Sequence, residues 1–505
     1  MGKFPKGLYL ISSLETFVSF GYYGVLISLS LYMILSLSWS NNFTSTTYGL
    51  VSGLFFITPV LGGYLADKYF GNVRSIIFGV VLMIIGVFVL YYSATLYQPG
   101  IPIHNHPIFN LQEITFIIGL IFMIIGNGLF KPNNSSMIEG LYSSGETSII
   151  EESFTLFYMI FNGGCIISIV IISLIDGQNP YAFKNGFLIA GFVMLVGLII
   201  YLLLKNKYLR NSQGELFGIE PNKTHVNFND KNLDFELLKK MGLQSENSEK
   251  NKKLKEIKKL SKKEKIKIID GKLSSVEKDR IKAIMVVVIF IVFFFIIFGQ
   301  FGASLVYFAK DHVCLNIGNF EIPPQSFLVF NPIFIVLLAP VFVKLWEYLS
   351  KRNINLSIFT KVSLALFVLA VGYFLMCIPG NIIDNGGEKV SLIWMIIIYL
   401  FITVSELLCV PNTQALVSKI APKKFLSLLM GIWLFADGIA CLFSGFLSTF
   451  YPTAETPTPY LFGIPIVGFV DFFLIFAVLA LVTGAILLIL NKKVSKWVHW
   501  DSNEI

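Results

Sequence analysis

The chain has 505 residues, 55% of them hydrophobic and only 14% charged, where soluble domains carry about 25% charged residues. That balance excludes an ordinary soluble domain and points to a lipid bilayer. The net charge of +8 is no sign of a nucleic-acid partner, because residues 205–282 hold 21 Lys and Arg against 12 Asp and Glu and the rest is close to neutral.

The N-terminus places Lys3 and Lys6 before a long apolar stretch without a small-residue cleavage site, which reads as a first span and not a signal peptide. Apolar runs able to cross about 30 Å of hydrocarbon follow one another near 8–36, 47–69, 75–95, 112–136, 153–176 and 184–204. After a polar break, six more lie near 283–309, 325–349, 356–378, 390–418, 425–450 and 464–491. The expected fold is an all-α membrane protein with twelve transmembrane helices in two six-helix bundles, 1–204 and 283–491. A basic linker spans 205–282 and a tail spans 492–505. Pro59, Pro332, Pro340 and Pro411 fall inside spans, as helical membrane proteins tolerate. In the linker, Leu254, Ile257, Leu260 and Ile266 alternate with lysines. That pattern suits a solvated connector or a basic helix lying on an anionic leaflet.

Loop charges orient the bundles. The odd-to-even loops contain only Lys310 and Lys389 as basic residues, whereas the even-to-odd loops hold Lys68, Arg74, Lys344, Lys351, Arg352, Lys419, Lys423 and Lys424. The positive-inside rule puts both termini in the cytoplasm. The 137–152 loop departs from it, with Glu139, Glu146, Glu151 and Glu152 and no basic residue.

Five single cysteines give no metal or disulfide spacing, and no Gly-rich phosphate loop is present, so no cofactor, metal or enzymatic chemistry is expected. Among the ionisable groups within the apolar runs, Lys131, Glu406 and Asp437 lie deepest in apolar sequence. A charge near the bilayer centre costs roughly 2.5–3.5 kcal/mol on insertion scales. Lys131 therefore either snorkels from the end of its helix or faces a watery path inside a bundle. Glu406 and Asp437 are either held by neighbouring hydroxyls or exposed to such a path.

Between spans 2 and 3, Gly62-Gly63-Tyr64-Leu65-Ala66-Asp67-Lys68-Tyr69-Phe70-Gly71-Asn72-Val73-Arg74 resembles the Gly-x3-Asp-Arg/Lys loop of the major facilitator superfamily. Gly63, Asp67, Lys68, Gly71 and Arg74 would form a latch, bridging to a neighbouring helix in one conformational state. The alternative is a tight turn with solvated charges.

Further stretches resemble the proton-dependent oligopeptide transporter (POT) family of that superfamily. They are Gly128-Leu129-Phe130-Lys131-Pro132-Asn133, Phe157-Tyr158-Met159-Ile160-Phe161-Asn162, Asn331-Pro332-Ile333-Phe334-Ile335, Ser405-Glu406-Leu407-Leu408 and Met430-Gly431-Ile432-Trp433. The resemblance implies import of di- and tripeptides by alternating access, driven by protons, by a protein acting as a monomer in the plasma (inner) membrane. Lys131 would meet the peptide carboxylate. Glu406 would meet its amino group, with Asn162 and Asn331 as amide partners, and Tyr22 and Tyr23 would touch the peptide backbone.

The chain departs from the family on its coupling residues. The family pattern Glu-x-x-Glu-Arg-Phe-x-Tyr-Tyr keeps Glu15, Phe20, Tyr22 and Tyr23 here, but Val18 and Ser19 replace the second Glu and the Arg. Leu26 replaces a further arginine, and the Phe-Glu-Gln of span 7 becomes Phe298-Gly299-Gln300. Burial favours the protonated form of a carboxylate, as a proton carrier requires. Asp437 is the candidate for that role, with Glu15 second. An uncoupled carrier or exchanger, a carrier of another small solute and a transport-silent sensor remain as alternatives.

Overall fold

The computed structural model describes residues 4–39, 41–98, 110–142, 147–176, 179–211, 214–216, 218, 273–302, 304–317, 320–322, 324–352, 356–452, 460–461 and 463–499. Among them are twelve helices long and apolar enough to cross a membrane. The first bundle comprises α1 (Lys6–Leu35), α2 (Asn41–Leu65), α3 (Asn72–Thr95), α4 (Leu111–Ser136), α5 (Thr147–Asp176) and α6 (Phe183–Tyr208). The second comprises α7 (Ser275–Phe298), α8 (Phe330–Lys351), α9 (Ile358–Asp384), α10 (Ile393–Ile420), α11 (Leu426–Ser448) and α12 (Phe469–Val498). Large apolar side chains such as Leu203 and Ile489, more than 70% exposed, cover the outer flanks, as a surface solvated by lipid requires. The lysine-rich stretch 252–267 lies outside the described residues.

Several helix ends differ from the hydropathy reading by a few residues, and two of them show a local reason. Helix α7 begins at Ser275 and not near 283. Ser274 accepts the Glu277 N–H at 3.1 Å while Glu277 accepts the Ser274 N–H at 2.8 Å, which satisfies donors that a helix start leaves open. Helix α12 continues past 491 to Val498, where Arg280 of α7 donates to the carbonyls of Val498 and His499 at 2.9 and 3.3 Å. The loops also contain two antiparallel two-residue strand pairs, Asn316–Ile317 with Phe320–Glu321 and Tyr460–Leu461 with Ile464–Pro465. Runs this short leave no hydropathy pattern.

The two bundles repeat one packing scheme. Helix α1 packs on α5 and α6, α2 on α4, and α3 on α4 and α6. Correspondingly, α7 packs on α11 and α12, α8 on α10, and α9 on α10 and α12. Across the bundles α2 lies against α11, and α5 against α8. The first of these contacts is close because its crossing points are glycines. A Cβ at Gly63 would land on the Ser427 carbonyl, one at Gly431 on the Pro59 carbonyl, and one at Gly438 would stand 2.6 Å from the Phe56 Cβ. Small residues at such crossings let helix backbones approach where lipid offers no hydrophobic drive for association.

Helix α7 breaks after Phe298 into a 3-10 turn, Gly299–Gly302, before a helical continuation at Ser304–His312. Gln300 donates to the Ser444 carbonyl and hydroxyl of α11 at 3.0 and 2.9 Å. A Cβ at Gly299 would come within 2.6 Å of the Ser444 hydroxyl, so a side chain at the position that lacks the family's carboxylate would displace that hydroxyl.

Gly63→Val would force methyl groups into the α11 backbone, and overpacking of this kind costs about 1–3 kcal/mol. The detergent-solubilised variant should melt at a lower temperature than wild type. An unchanged melting curve would contradict the close approach of α2 and α11.

Candidate functional site

Lys131 lies on α4 immediately before Pro132. Its ammonium does not reach for the surface. It stands over the ring of Tyr22 of α1, 5.6 Å from the centroid, a cation–π distance. Tyr22 is itself fixed edge-on by Tyr23 at 5.2 Å and by Phe55 at 4.8 Å. The Lys131 charge acts on carboxylates from two other helices, Glu15 of α1 and Asp437 of α11. Glu15 is buried and accepts a hydrogen bond from Asn134 Nδ2 at 2.7 Å. Asn134 sits one turn beyond Lys131 on α4, so one turn of helix presents both a cation and an amide to α1.

Glu406 of α10 is buried and doubly held. Asn331 of α8 donates to it at 2.6 Å, and the Tyr158 hydroxyl of α5 donates from the opposite bundle in a short hydrogen bond. Asn331 also donates to Thr403 at 3.2 Å. Asn162, expected beside Glu406, instead donates to the Tyr158 carbonyl at 2.8 Å. An amide one turn along a helix satisfies the backbone of its own helix first, and the hydroxyl of Tyr158 makes the reach to Glu406. Asp437 completes the group. Its hydrogen-bond partner is the thiol of Cys441 at 3.9 Å, and it interacts electrostatically with Glu406, Tyr22, Tyr23 and Tyr158. Val18 and Ser19, where the family pattern has charges, are buried.

A second set of groups joins the bundles on the face that carries both termini. Asp67 accepts the backbone N–H groups of Ser427 at 3.2 Å and Leu428 at 2.8 Å, in the first turn of α11. The open donors and dipole of a helix N-terminus favour a carboxylate there. Asn72 donates to Ser136 at 2.8 Å, and Ser427 donates to Asn72 at 3.5 Å. Gly71 supports this turn with φ +78°, a left-handed conformation that favours glycine. The expected cations take no part in these bonds. Lys68 donates to the Tyr64 hydroxyl at 2.7 Å and lies over the rings of Tyr64 and Tyr69, and Arg74 is exposed. Ammonium and guanidinium groups at exposed helix ends stay hydrated, whereas the carboxylate gains backbone donors by crossing.

On the same face, Glu151 of α5 accepts from Lys361 of α9 and, at 3.0 Å, from Lys419 of α10. Lys361 also donates to Asn412 at 3.1 Å and sits 4.2 Å above the ring of Trp346. Both lysine side chains are only 5% exposed. The acidic 137–152 loop thus supplies one counter-charge for two cations of the other bundle. A lysine inside the apolar run Phe359-Thr360-Lys361-Val362 was the available sequence signal. For Tyr158 it was a position within a motif already noted.

The profile of the POT family matches residues 73–461. The chain belongs to the POT family. The dipeptide and tripeptide permease B of Aliivibrio fischeri is 26% identical over 471 residues, covering 92% of this chain and 89% of the relative. That of Yersinia enterocolitica is 26% identical over 501 residues, covering 97% and 96%. A POT family transporter crystallised with a thioalcohol conjugated peptide superposes with a TM-score of 0.66 at 23% identity, over 97% of both chains. Another, with 5-aminolevulinic acid, gives 0.65 over the same share of both chains. These solved structures share the fold of this POT-family membrane transporter.

Glu151→Gln would remove the carboxylate that bonds both Lys361 and Lys419, a change of about 3–5 kcal/mol when one partner of a buried pair is lost. The apparent melting temperature should fall clearly, and a Glu151→Gln/Lys361→Met double variant should recover part of the loss. Wild-type melting of Glu151→Gln alone would mean that the clamp contributes nothing to stability.

Proposed function

We propose that the protein imports di- and tripeptides by alternating access, with protons as the co-transported ion, acting as a monomer in the plasma (inner) membrane with both termini cytoplasmic. The observation that carries this reading is the division of charge at the centre of the molecule. Lys131 lies on the first bundle over the ring of Tyr22, while Glu406 lies on the second with Asn331 beside it. A zwitterionic peptide has the matching polarity: its carboxylate suits Lys131 and its ammonium suits Glu406. In that pose the ammonium takes over the hydrogen bond that the Tyr158 hydroxyl now donates. Tyr22 and Tyr23 then face the peptide backbone. The permease names of the relatives support the same substrate class.

The contacts of Asp67 and Glu151 support a state closed on the cytoplasmic side, because they bind helix ends of one bundle to the other. Opening inward would break both sets, rehydrating Glu151, Lys361 and Lys419. Gly63 and Gly71 give the Asp67 latch its close approach and its turn. Proton coupling is assigned to Asp437, with Glu15 second, since Glu406 is committed to the substrate ammonium. An uncoupled exchanger of the same peptides is the second reading, and the uncharged Val18, Ser19 and Gly299 favour it.

Counterflow of labelled dialanine in proteoliposomes, with and without an inward proton gradient, tests the reading as a whole. Glu406→Gln should weaken binding of peptides with a free amino terminus much more than of N-acetylated ones. Equal losses for both would remove Glu406 as the ammonium partner.

Asp437→Asn should abolish gradient-driven accumulation of dialanine while exchange continues, because exchange moves no net proton. A wild-type protein that exchanges dialanine but accumulates none under the gradient is uncoupled, and Asp437 then carries no proton.

A further inference from the structure

The charges at the centre do not balance. Among the described residues, Glu15, Glu406 and Asp437 supply three carboxylates, and Lys131 is the ammonium that acts on Glu15 and Asp437. The positions that carry arginines in related patterns are Ser19 and Leu26, which bring no charge. A zwitterionic peptide adds one charge of each sign and leaves the difference as it was.

The three carboxylates are not equally provided for. Glu15 has the Asn134 amide, and Glu406 has Asn331 and Tyr158. Among the described residues, Asp437 has the Cys441 thiol at 3.9 Å, a weak donor on its own helix one turn away. It stands at mid-helix on α11, partly exposed, and interacts with residues of α1, α4, α5 and α10. Its helix packs on those of Lys131 and Glu406, which puts it near the charges between which the peptide of the proposed function would lie. A carboxylate this poorly partnered is a strong acceptor for any cation delivered there.

Resting on the peptide reading, we infer that Asp437 is a specificity determinant that selects peptides with a basic side chain. The lysyl ammonium, on its flexible four-carbon stem, has three donors for the Asp437 carboxylate. An acidic side chain at the same place would add a fourth carboxylate. When the substrate brings no side-chain cation, a co-transported proton neutralises Asp437 in its stead, so the proton and the basic side chain are alternative occupants of one carboxylate.

The test is competition against labelled dialanine in counterflow by the full-length protein in proteoliposomes at fixed pH. The competitors are Ala-Lys, Ala-Lys acetylated on its side chain, and Ala-Glu. Ala-Lys should compete at least about tenfold better than the acetylated peptide, which has a similar shape without the charge, and better still than Ala-Glu. Asp437→Asn should bring Ala-Lys and its acetylated form to within about threefold of each other, and Asp437→Glu should keep the wild-type order. Equal competition by all three peptides in wild type overturns the inference, even if the variants fail to fold. So does a preference for Ala-Lys that survives Asp437→Asn. If wild type exchanges no dialanine at all, the peptide reading itself has failed, and this inference falls with it.

Discussion

A carboxylate that cannot reach bulk water must be answered inside the protein, and here the answers come largely from the opposite bundle. Asp67 finds the backbone N–H groups that open α11. Glu151 finds Lys361 and Lys419. Glu406 takes one of its two donors, the Tyr158 hydroxyl, from across the interface. Each interaction lies between elements that belong to different six-helix units. The polar groups that are costly in hydrocarbon are thereby the ones that hold the two units in this arrangement. The apolar residues of the same helices are indifferent to it, since lipid suits them as well as a neighbouring helix does.

The repeated packing scheme puts α1, α4 and α5 on one side of the centre and α8, α10 and α11 on the other, with α3, α6, α9 and α12 outside. Chemistry is concentrated on the inner helices. Lys131, Glu15, Tyr22 and Tyr23 lie on helices of the first bundle and Glu406, Asn331 and Asp437 on helices of the second, and the repeat does not extend to these side chains. Architectural symmetry with chemical asymmetry is what a polar solute with distinct ends would require on the proposed reading.

The residues absent from the coupling pattern are absent as a set. Val18 and Ser19 are buried on α1, and a Cβ at Gly299 would stand 2.6 Å from the Ser444 hydroxyl, so charges of both signs are missing from these positions together. Removing both members of a buried pair is far less costly than removing one. Asp437 adds a carboxylate on the same inner face, and the proposed transport scheme depends on what neutralises it.

The twelve-span, two-bundle organisation was legible in the sequence because a helix must bury its backbone hydrogen bonds to cross hydrocarbon, and hydropathy records that directly. Lys131, Glu406 and Asp437 were legible because a charge inside an apolar run stands out whatever the fold. Helix ends set by capping, at Ser274 and Val498, were not, since polar residues there extend helices that hydropathy alone would stop. Tertiary structure alone decided the partnerships. It gave Glu406 to Tyr158 and not to Asn162, left Lys68 and Arg74 out of the contact that Asp67 makes, and drew Glu151 to two lysines more than two hundred residues away. These pairings depend on which faces of distant helices meet, and hydropathy along a single chain does not record facing.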